Sequence, residues 1–242
     1  MPYIWMTIRD KSVKQNSEIL YMNRVVIDIE TVGAAFESLD EKSQEYLLKF
    51  AESSEEREKI KERLALYPLT GEIVAVGMLN PDTGKGMVYY QNGGKEDGFE
   101  EGSIFFESGS EGQILEKFWE TLKSYGQVIT FNGRGFDAPY LHLRSAINKI
   151  SPSRNLMPYR YDAKLHCDLL DQLTFYGAIR RFNLHFYAKA FNIKSPKEDG
   201  VDGLEIGNLY RGGKFKEIAR YCVGDLIATK ELYEYWDKYL RF

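Results

Sequence analysis

The stretch RVVIDIETVG, residues 24–33, sets an apolar run, Val25-Val26-Ile27, directly ahead of two acids one residue apart, Asp28 and Glu30. A continuous apolar run predicts a strand covered on both faces. On a strand, positions i and i+2 share a face and stand about 6–7 Å apart. Two carboxylates held that close repel, and one takes up a proton unless a cation sits between them. Carboxylate oxygens with retained water suit Mg2+ or Mn2+ better than Zn2+. A strand end reaching solvent would hold the same pair hydrated, so the spacing alone is a weak signal.

Two later stretches offer partners for that pair. VITFNGRGFD, residues 128–137, places Asp137 after an apolar strand and a glycine-containing turn. Asp ahead of Ala138-Pro139 also reads as a helix N-cap with proline in the first turn. YCVGDLIAT, residues 221–229, places Tyr221 and Asp225 four apart on a helix, hence on one face. A half-buried helix face explains that spacing equally well. The three histidines, His142, His166 and His185, sit in apolar contexts and read as structural, and no Ser-His-Asp or Cys-His arrangement is evident. Cys167 and Cys222 have no CxxC or zinc spacing and read as buried reduced thiols. NGRG, residues 132–135, is a poor phosphate cradle because it lacks the P-loop pattern.

Around these stretches the chain alternates. Residues 36–66 carry helical charge patterning, with serines ahead of acids and bases after them, and predict one or two helices. GEIVAVGMLNPDTGKGMVYY reads as a hairpin turning at NPDTGKG. NGGKEDGFEEG reads as a loop and SIFFES as a short strand. Residues 109–126 predict an amphipathic helix with Ile114, Leu115, Phe118, Trp119 and Leu122 on one face. QVITF is another strand. HCDLLDQLTFYGA, NLHFYAKAFNI and GLEIGNLYRGG read as short helices, SPKEDGVDG as a loop, and KFKEIARYCVGDLIATKELYEYWDKYL as a long final helix. Strands, then strand–helix alternation, then helices imply an α/β fold with a mixed sheet covered on both faces.

The ordered set D-x-E on a strand, N-G-x-x-F-D after a later strand and Y-x-x-x-D on a late helix resembles the 3′–5′ exonucleases of the ribonuclease H-like superfamily. The type in question, called DEDDy, carries four acids and a tyrosine. The similarity is nearest to predicted exonucleases related to the proofreading domain of family B DNA polymerases. DIET, FNGRGFDAPYLHLR and IARYCVGDLIATKELY carry it, and it runs from about residue 23 to residue 239. It implies a ribonuclease H-like fold, a mixed central sheet with an antiparallel second strand and helices on both faces. It makes residues 1–22 an N-terminal extension, 23–242 a single exonuclease domain, and 33–69 a helical insertion lying apart from the acids.

The resemblance further implies two divalent ions, Mg2+ or Mn2+, held by Asp28, Glu30, Asp137 and Asp225. Tyr221 would orient the attacking water, since a phenol with a reference pKa near ~10 is a poor base at neutral pH. Thr31, Asn132 and Phe136 would border the single-stranded 3′ end of DNA or RNA, and nucleoside 5′-monophosphates would leave. A nucleic-acid-binding or polymerase-accessory module of the same fold, or an endonuclease of the superfamily, are the competing expectations.

Charge distribution bears on the partner. The 242-residue chain has a net charge of −4, but residues 134–220 hold 15 Lys and Arg against 9 Asp and Glu. Residues 1–133 hold 14 against 23. A basic block in an acidic chain suits a groove that neutralises phosphates, with Arg134, Arg180, Arg181, Lys194, Lys197, Arg211 and Lys214 as candidates. The same residues would serve equally as a solvated surface. No apolar run is long enough for a membrane span, and no signal-peptide pattern opens the chain, which implies a cytoplasmic protein.

Overall fold

The computed structural model describes residues 23–195 and 205–241; the expected extension at 1–22 and Lys197, with most of the SPKEDGVDG loop, lie outside the described residues. A seven-stranded mixed sheet runs in the order β4-β5-β3-β2-β1-β6-β7. Its centre is β1 (Arg24–Gly33), the strand anticipated at the two acids. On one side β1 pairs antiparallel with β2 (Gly71–Leu79), which turns through Asn80 into β3 (Gly86–Gln91) as the hairpin reading required. The Asn80 Oδ1 accepts the amides of Asp82 and Thr83, closing that turn. β4 (Gly98–Glu101) and β5 (Ile104–Gly109) complete this side. On the other side β1 runs parallel to β6 (Gln127–Thr130), and β6 parallel to β7 (His166–Asp168).

The helices follow in chain order. Residues 33–69, expected as an insertion, hold α1 (Glu41–Leu48) and α2 (Ser54–Glu62), the latter capped by Ser53, whose side chain accepts the Glu56 amide, and followed by a 3-10 turn at Arg63–Leu66. Next come α3 (Glu111–Leu122), α4 (Asp137–Ile147), α5 (Leu169–Leu173), α6 (Leu184–Ala190), α7 (Ile206–Arg211) and α8 (Phe215–Tyr239). A capping box between Ser110 and Gln113 starts α3. Its Ile114, Leu115, Phe118, Trp119 and Leu122 are all buried, as the periodicity predicts.

Period-2 alternation on β1 splits the core in two. Val25, Ile27 and Ile29 pack with α3 and α4. Val26 and Val32 pack with α8, so Asp28 and Glu30, of the same parity, point to the α8 face. Each large side chain fully buried in these layers contributes roughly 1.5–3 kcal/mol.

Two expectations need correction. Residues 98–101 are a strand, not loop, because the GFEE segment pairs with β5 at the sheet edge, where exposed glutamates are tolerated. Residues 166–168 are also a strand, β7, because His166, Cys167 and Asp168 align with Val128, Ile129 and Thr130, and the helix starts only at Leu169. Among the described residues no helix is long and apolar enough to cross a membrane.

Candidate functional site

β1 supplies the floor of the site. Asp28 is half-buried and Glu30 buried. A bulge interrupts the β1–β2 register just after Glu30, so the ladder bends beside the second acid. Across the ladder, Asp28 is paired with Gly77. A Cβ on Gly77 would lie 2.6 Å from both Cys222 Sγ and Leu226 Cδ1. The glycine therefore lets α8 rest directly on the sheet. Cys222 and Leu226 each follow one of the predicted pair, Tyr221 and Asp225, which occupy half-buried positions one turn apart on α8. The Cys222 thiol contacts Asp28 Oδ2 at 3.8 Å. Ligand atoms of Asp28, Glu30 and Cys222 lie within 4.8 Å of one another, close enough for one cation. The cysteine is buried as the sequence implied, but its place at the acids was not foreseen.

Asp137 enters through the NGRGF turn. Asn132 adopts a left-handed backbone (φ 61), which asparagine tolerates. Gly133 leaves no room for a side chain, since a Cβ would meet the Thr130 side chain at 2.4 Å. Buried Asp168 clamps the turn by accepting the amides of Asn132 and Arg134 at 2.9 Å each. It also caps α5 through the Leu170 amide. Asp137 is not the N-cap that its sequence context suggested: Phe136 holds that position, with no side-chain cap bond, and Asp137 is the first helical residue, 4 % exposed. Its carboxylate is thus released from capping and turned inward.

Electrostatics ties the four acids together. Burial raises Asp28 well above the usual carboxylate range, and Asp225, Glu30 and Asp137 push it further. Burial likewise raises Glu30, with Asp225 and Asp137 adding to it. Asp137 is pushed up to about 7, first by burial, against the pull of its own amide and that of Ile29, with Asp168 and Asp225 as repelling neighbours. Burial and then all four acids raise the Cys222 thiol. Glu30 Oε1 is buried with no hydrogen-bond partner among the described residues. A buried oxygen without a donor, inside a ring of repelling carboxylates, is favoured either by a proton or by a cation held among them.

Beside Glu30 opens a cleft of about 580 Å3, lined among others by Thr31, Lys61, Leu66, Phe136, Asn208 and Arg211. Lys61 and Leu66 belong to residues 33–69, expected as an insertion that does not touch the acids; that segment is joined to β1 and α4, where Thr31 Oγ1 donates to Ala65 O at 2.8 Å, Tyr140 Oη donates to Ala65 O at 3.0 Å, and Gly33 packs against Leu64 and Ala65. The Thr31 hydroxyl is therefore committed to the protein. Phe136 is half-buried against Tyr140, with one side on the cleft.

The histidines are structural. His166 is buried, with Nδ1 2.7 Å from Leu156 O and Nε2 2.8 Å from Thr130 Oγ1. His142 Nε2 accepts the Leu156 amide, and His185 bonds Ser195. Asp168 and Gly77 are the positioning residues that the sequence reading missed. Asp168 had a signal, an acid opening the LLDQL helix; Gly77, inside an apolar strand, had none beyond being a glycine in a strand.

Over residues 87–240 the chain matches a family model described as a predicted 3′-5′ exonuclease related to the exonuclease domain of PolB. That span includes Asp137, Tyr221 and Asp225; the fold adds Asp28 and Glu30 to them. No curated protein matches the chain. Among solved structures it is similar to the family B DNA polymerase from the hyperthermophilic archaeon Pyrobaculum calidifontis, at 17% identity and a TM-score of 0.58. The match covers 89% of this chain and 24% of that one, so the chain spans about a quarter of the polymerase's length. With the sheet order above, this likeness identifies the ribonuclease H-like fold.

Proposed function

The chain belongs to the family of predicted 3′-5′ exonucleases related to the exonuclease domain of PolB, and from that premise we propose that it is a metal-dependent 3′–5′ exonuclease. It hydrolyses phosphodiester bonds from the 3′ end of a single DNA or RNA strand and releases nucleoside 5′-monophosphates. The observation that carries this reading is the meeting of Asp28 and Glu30, whose ligand atoms lie within 4.8 Å of each other, with Asp137 and Asp225 close enough to raise both. Such a cage is costly when empty and favourable around divalent charge.

Asp28, Glu30 and Asp225 would hold one ion, and Asp28 with Asp137 a second; the orphaned Glu30 oxygen and the oxygen-rich donor set suit Mg2+ or Mn2+. When bound, two such ions lower the pKa of water and stabilise negative charge on the attacking and leaving oxygens of an in-line displacement. The Tyr221 phenol, one turn from Asp225, hydrogen-bonds the incoming water and fixes its direction of attack. Phe136 presents its face to the terminal base or sugar, and Asn132 borders the strand at the same turn. Lys61 and Arg211 flank the cleft beside Glu62 and Glu205 and are the cations that an entering phosphate meets there.

The test uses 5′-labelled single strands of DNA and RNA with Mn2+, then with chelator, beside the Asp28→Ala variant. Stepwise shortening from the 3′ end that stops with chelator and is absent in the variant is expected. Internal fragments would instead mark an endonuclease, and binding without cleavage a non-catalytic module.

A further inference from the structure

Residues 157–186 carry five exposed rings: Tyr159 at 74 %, Tyr161 at 58 %, Phe175 at 56 %, Phe182 at 38 % and Phe186 at 58 % exposure. Scattered exposed apolar side chains are ordinary, but a concentration of rings in one segment is not. Phe175 and Tyr176 both adopt left-handed backbone, φ 50 and 59, which bulky side chains rarely do. The chain is thus held in a disfavoured conformation while one of these rings stays in solvent.

Arginines are interleaved with the rings. Arg180 lies 4.9 Å from the Phe182 ring centroid. Arg160 and Arg181 share the buried Asp171. Arg134 donates to the carbonyls of Pro158 and Tyr159, binding this segment to the Asn132–Phe136 turn that delivers Asp137. A cleft of about 370 Å3 joins the two, lined by Asn132, Arg134, Met157, Arg160, Asp171 and Arg181 among others. Three guanidinium groups against Asp168 and Asp171 leave it net positive.

This combination selects among partners. Stacked rings recognise the faces of unpaired bases, guanidinium groups pair with phosphates, and because every base has a π-face the contact ignores sequence. A duplex hides those faces. An apolar peptide satisfies the rings and does nothing for the excess positive charge that Asp168 and Asp171 leave unbalanced. We propose that this surface is a sequence-indifferent track for the single strand 5′ to its reacting end, leading from the Asn132 turn across Tyr159 and Phe182. The proposal rests on the exonuclease reading only for which end of the strand reaches the acids.

The experiment measures binding of a dinucleotide and of a strand of about a dozen nucleotides, in chelator so that nothing is cut, by fluorescence anisotropy. Wild type is compared with Tyr159→Ala/Phe182→Ala and with Arg181→Gln, which leaves Arg160 on Asp171; matched thermal unfolding checks the fold. The wild type is expected to bind the longer strand more tightly. The double variant loses about five- to tenfold of that advantage per ring, and Arg181→Gln makes the salt dependence shallower. With Mn2+, the ratio of kcat/KM between long and short substrates falls in parallel. Equal binding of the longer strand by wild type and both variants overturns the track. Strand binding that depends on these residues in a protein that cuts nothing with any divalent ion keeps the track and removes the exonuclease. Cleavage with no effect of the variants does the reverse.

Discussion

Asp28 on β1 stands opposite Gly77 on β2, and helix α8 rests on that glycine, so the distance between the strand acids and Asp225 is set by a missing side chain. Gly77→Ala places a methyl 2.6 Å from Cys222 Sγ and Leu226 Cδ1. The helix or those two side chains must yield, at about 1–3 kcal/mol. A displacement of ~1 Å at a reacting site costs on the order of 100-fold in rate. Gly77→Ala is therefore expected to lower kcat far more than its modest drop in thermal midpoint suggests. Wild-type turnover in a folded Gly77→Ala protein would show that α8 is not held by this contact.

Glu30→Gln separates the two states of the acid cage. Glu30 is raised by burial, then by Asp225 and Asp137, so the native state binds a proton that the unfolded chain releases. The sign follows from linkage: a raised carboxyl penalises the metal-free fold increasingly as pH climbs from the ordinary carboxylate range toward the native value. Metal-free Glu30→Gln is expected to unfold at a higher temperature than wild type at pH ~8, and at the same temperature at pH ~4. Added Mn2+ should stabilise wild type, by about 2.7 kcal/mol at a hundredfold excess over Kd, and the variant much less. Thermal scans with and without the ion check both arms.

These two residues also mark how far the sequence could be read. Asp28, Glu30, Asp137, Tyr221 and Asp225 stand in local patterns, an apolar strand before two acids, a glycine turn before a helix, a one-turn repeat, and local pattern is what a chain displays openly. The β2–β3 hairpin and the long α8 were legible for the same reason, whereas the antiparallel place of β2 beside β1 was implied only by the family resemblance. β7 was not, because three residues against a parallel neighbour have no period of their own and the following LLDQL is helical. Gly77 owes its importance to residues about 150 positions later in the chain. The contribution of the insertion was hidden too, since Thr31 and Tyr140 reach it through main-chain carbonyls, which have no signature in sequence.

His166 gives a pH dependence of opposite sign. Leu156 O can only accept, so the His166 proton sits on Nδ1 and Nε2 accepts from the Thr130 hydroxyl. Burial lowers its pKa from 6.5 to about 4. Between those values the unfolded chain takes up a proton that the native ring refuses, so stability falls as pH drops from about 6.5 to about 4. The contribution lost is up to about 3 kcal/mol. His166→Gln, which can bond both partners without titrating, is expected to be less stable than wild type near pH 8 and to lose less on acidification. Urea midpoints of the two proteins across this range give the difference.

Ala65 O holds the insertion against the cleft through two donors, Thr31 Oγ1 and Tyr140 Oη, the second also 3.3 Å from Tyr67 O. Either donor alone keeps the carbonyl satisfied, so Thr31→Val and Tyr140→Phe are each expected to cost about 1 kcal/mol. Together they leave a carbonyl without a donor, and the loss should exceed the sum by about 1 kcal/mol or more. Ala65 lines the cleft next to Glu30 and Thr31, so loosening it widens the wall that the proposed function sets against the terminal nucleotide. The double variant should therefore raise KM for a single strand with a smaller change in kcat, the pattern of lost uniform binding. Additive losses in chemical unfolding, or a fall in kcat at constant KM, would remove the insertion from the binding wall and leave it a structural brace.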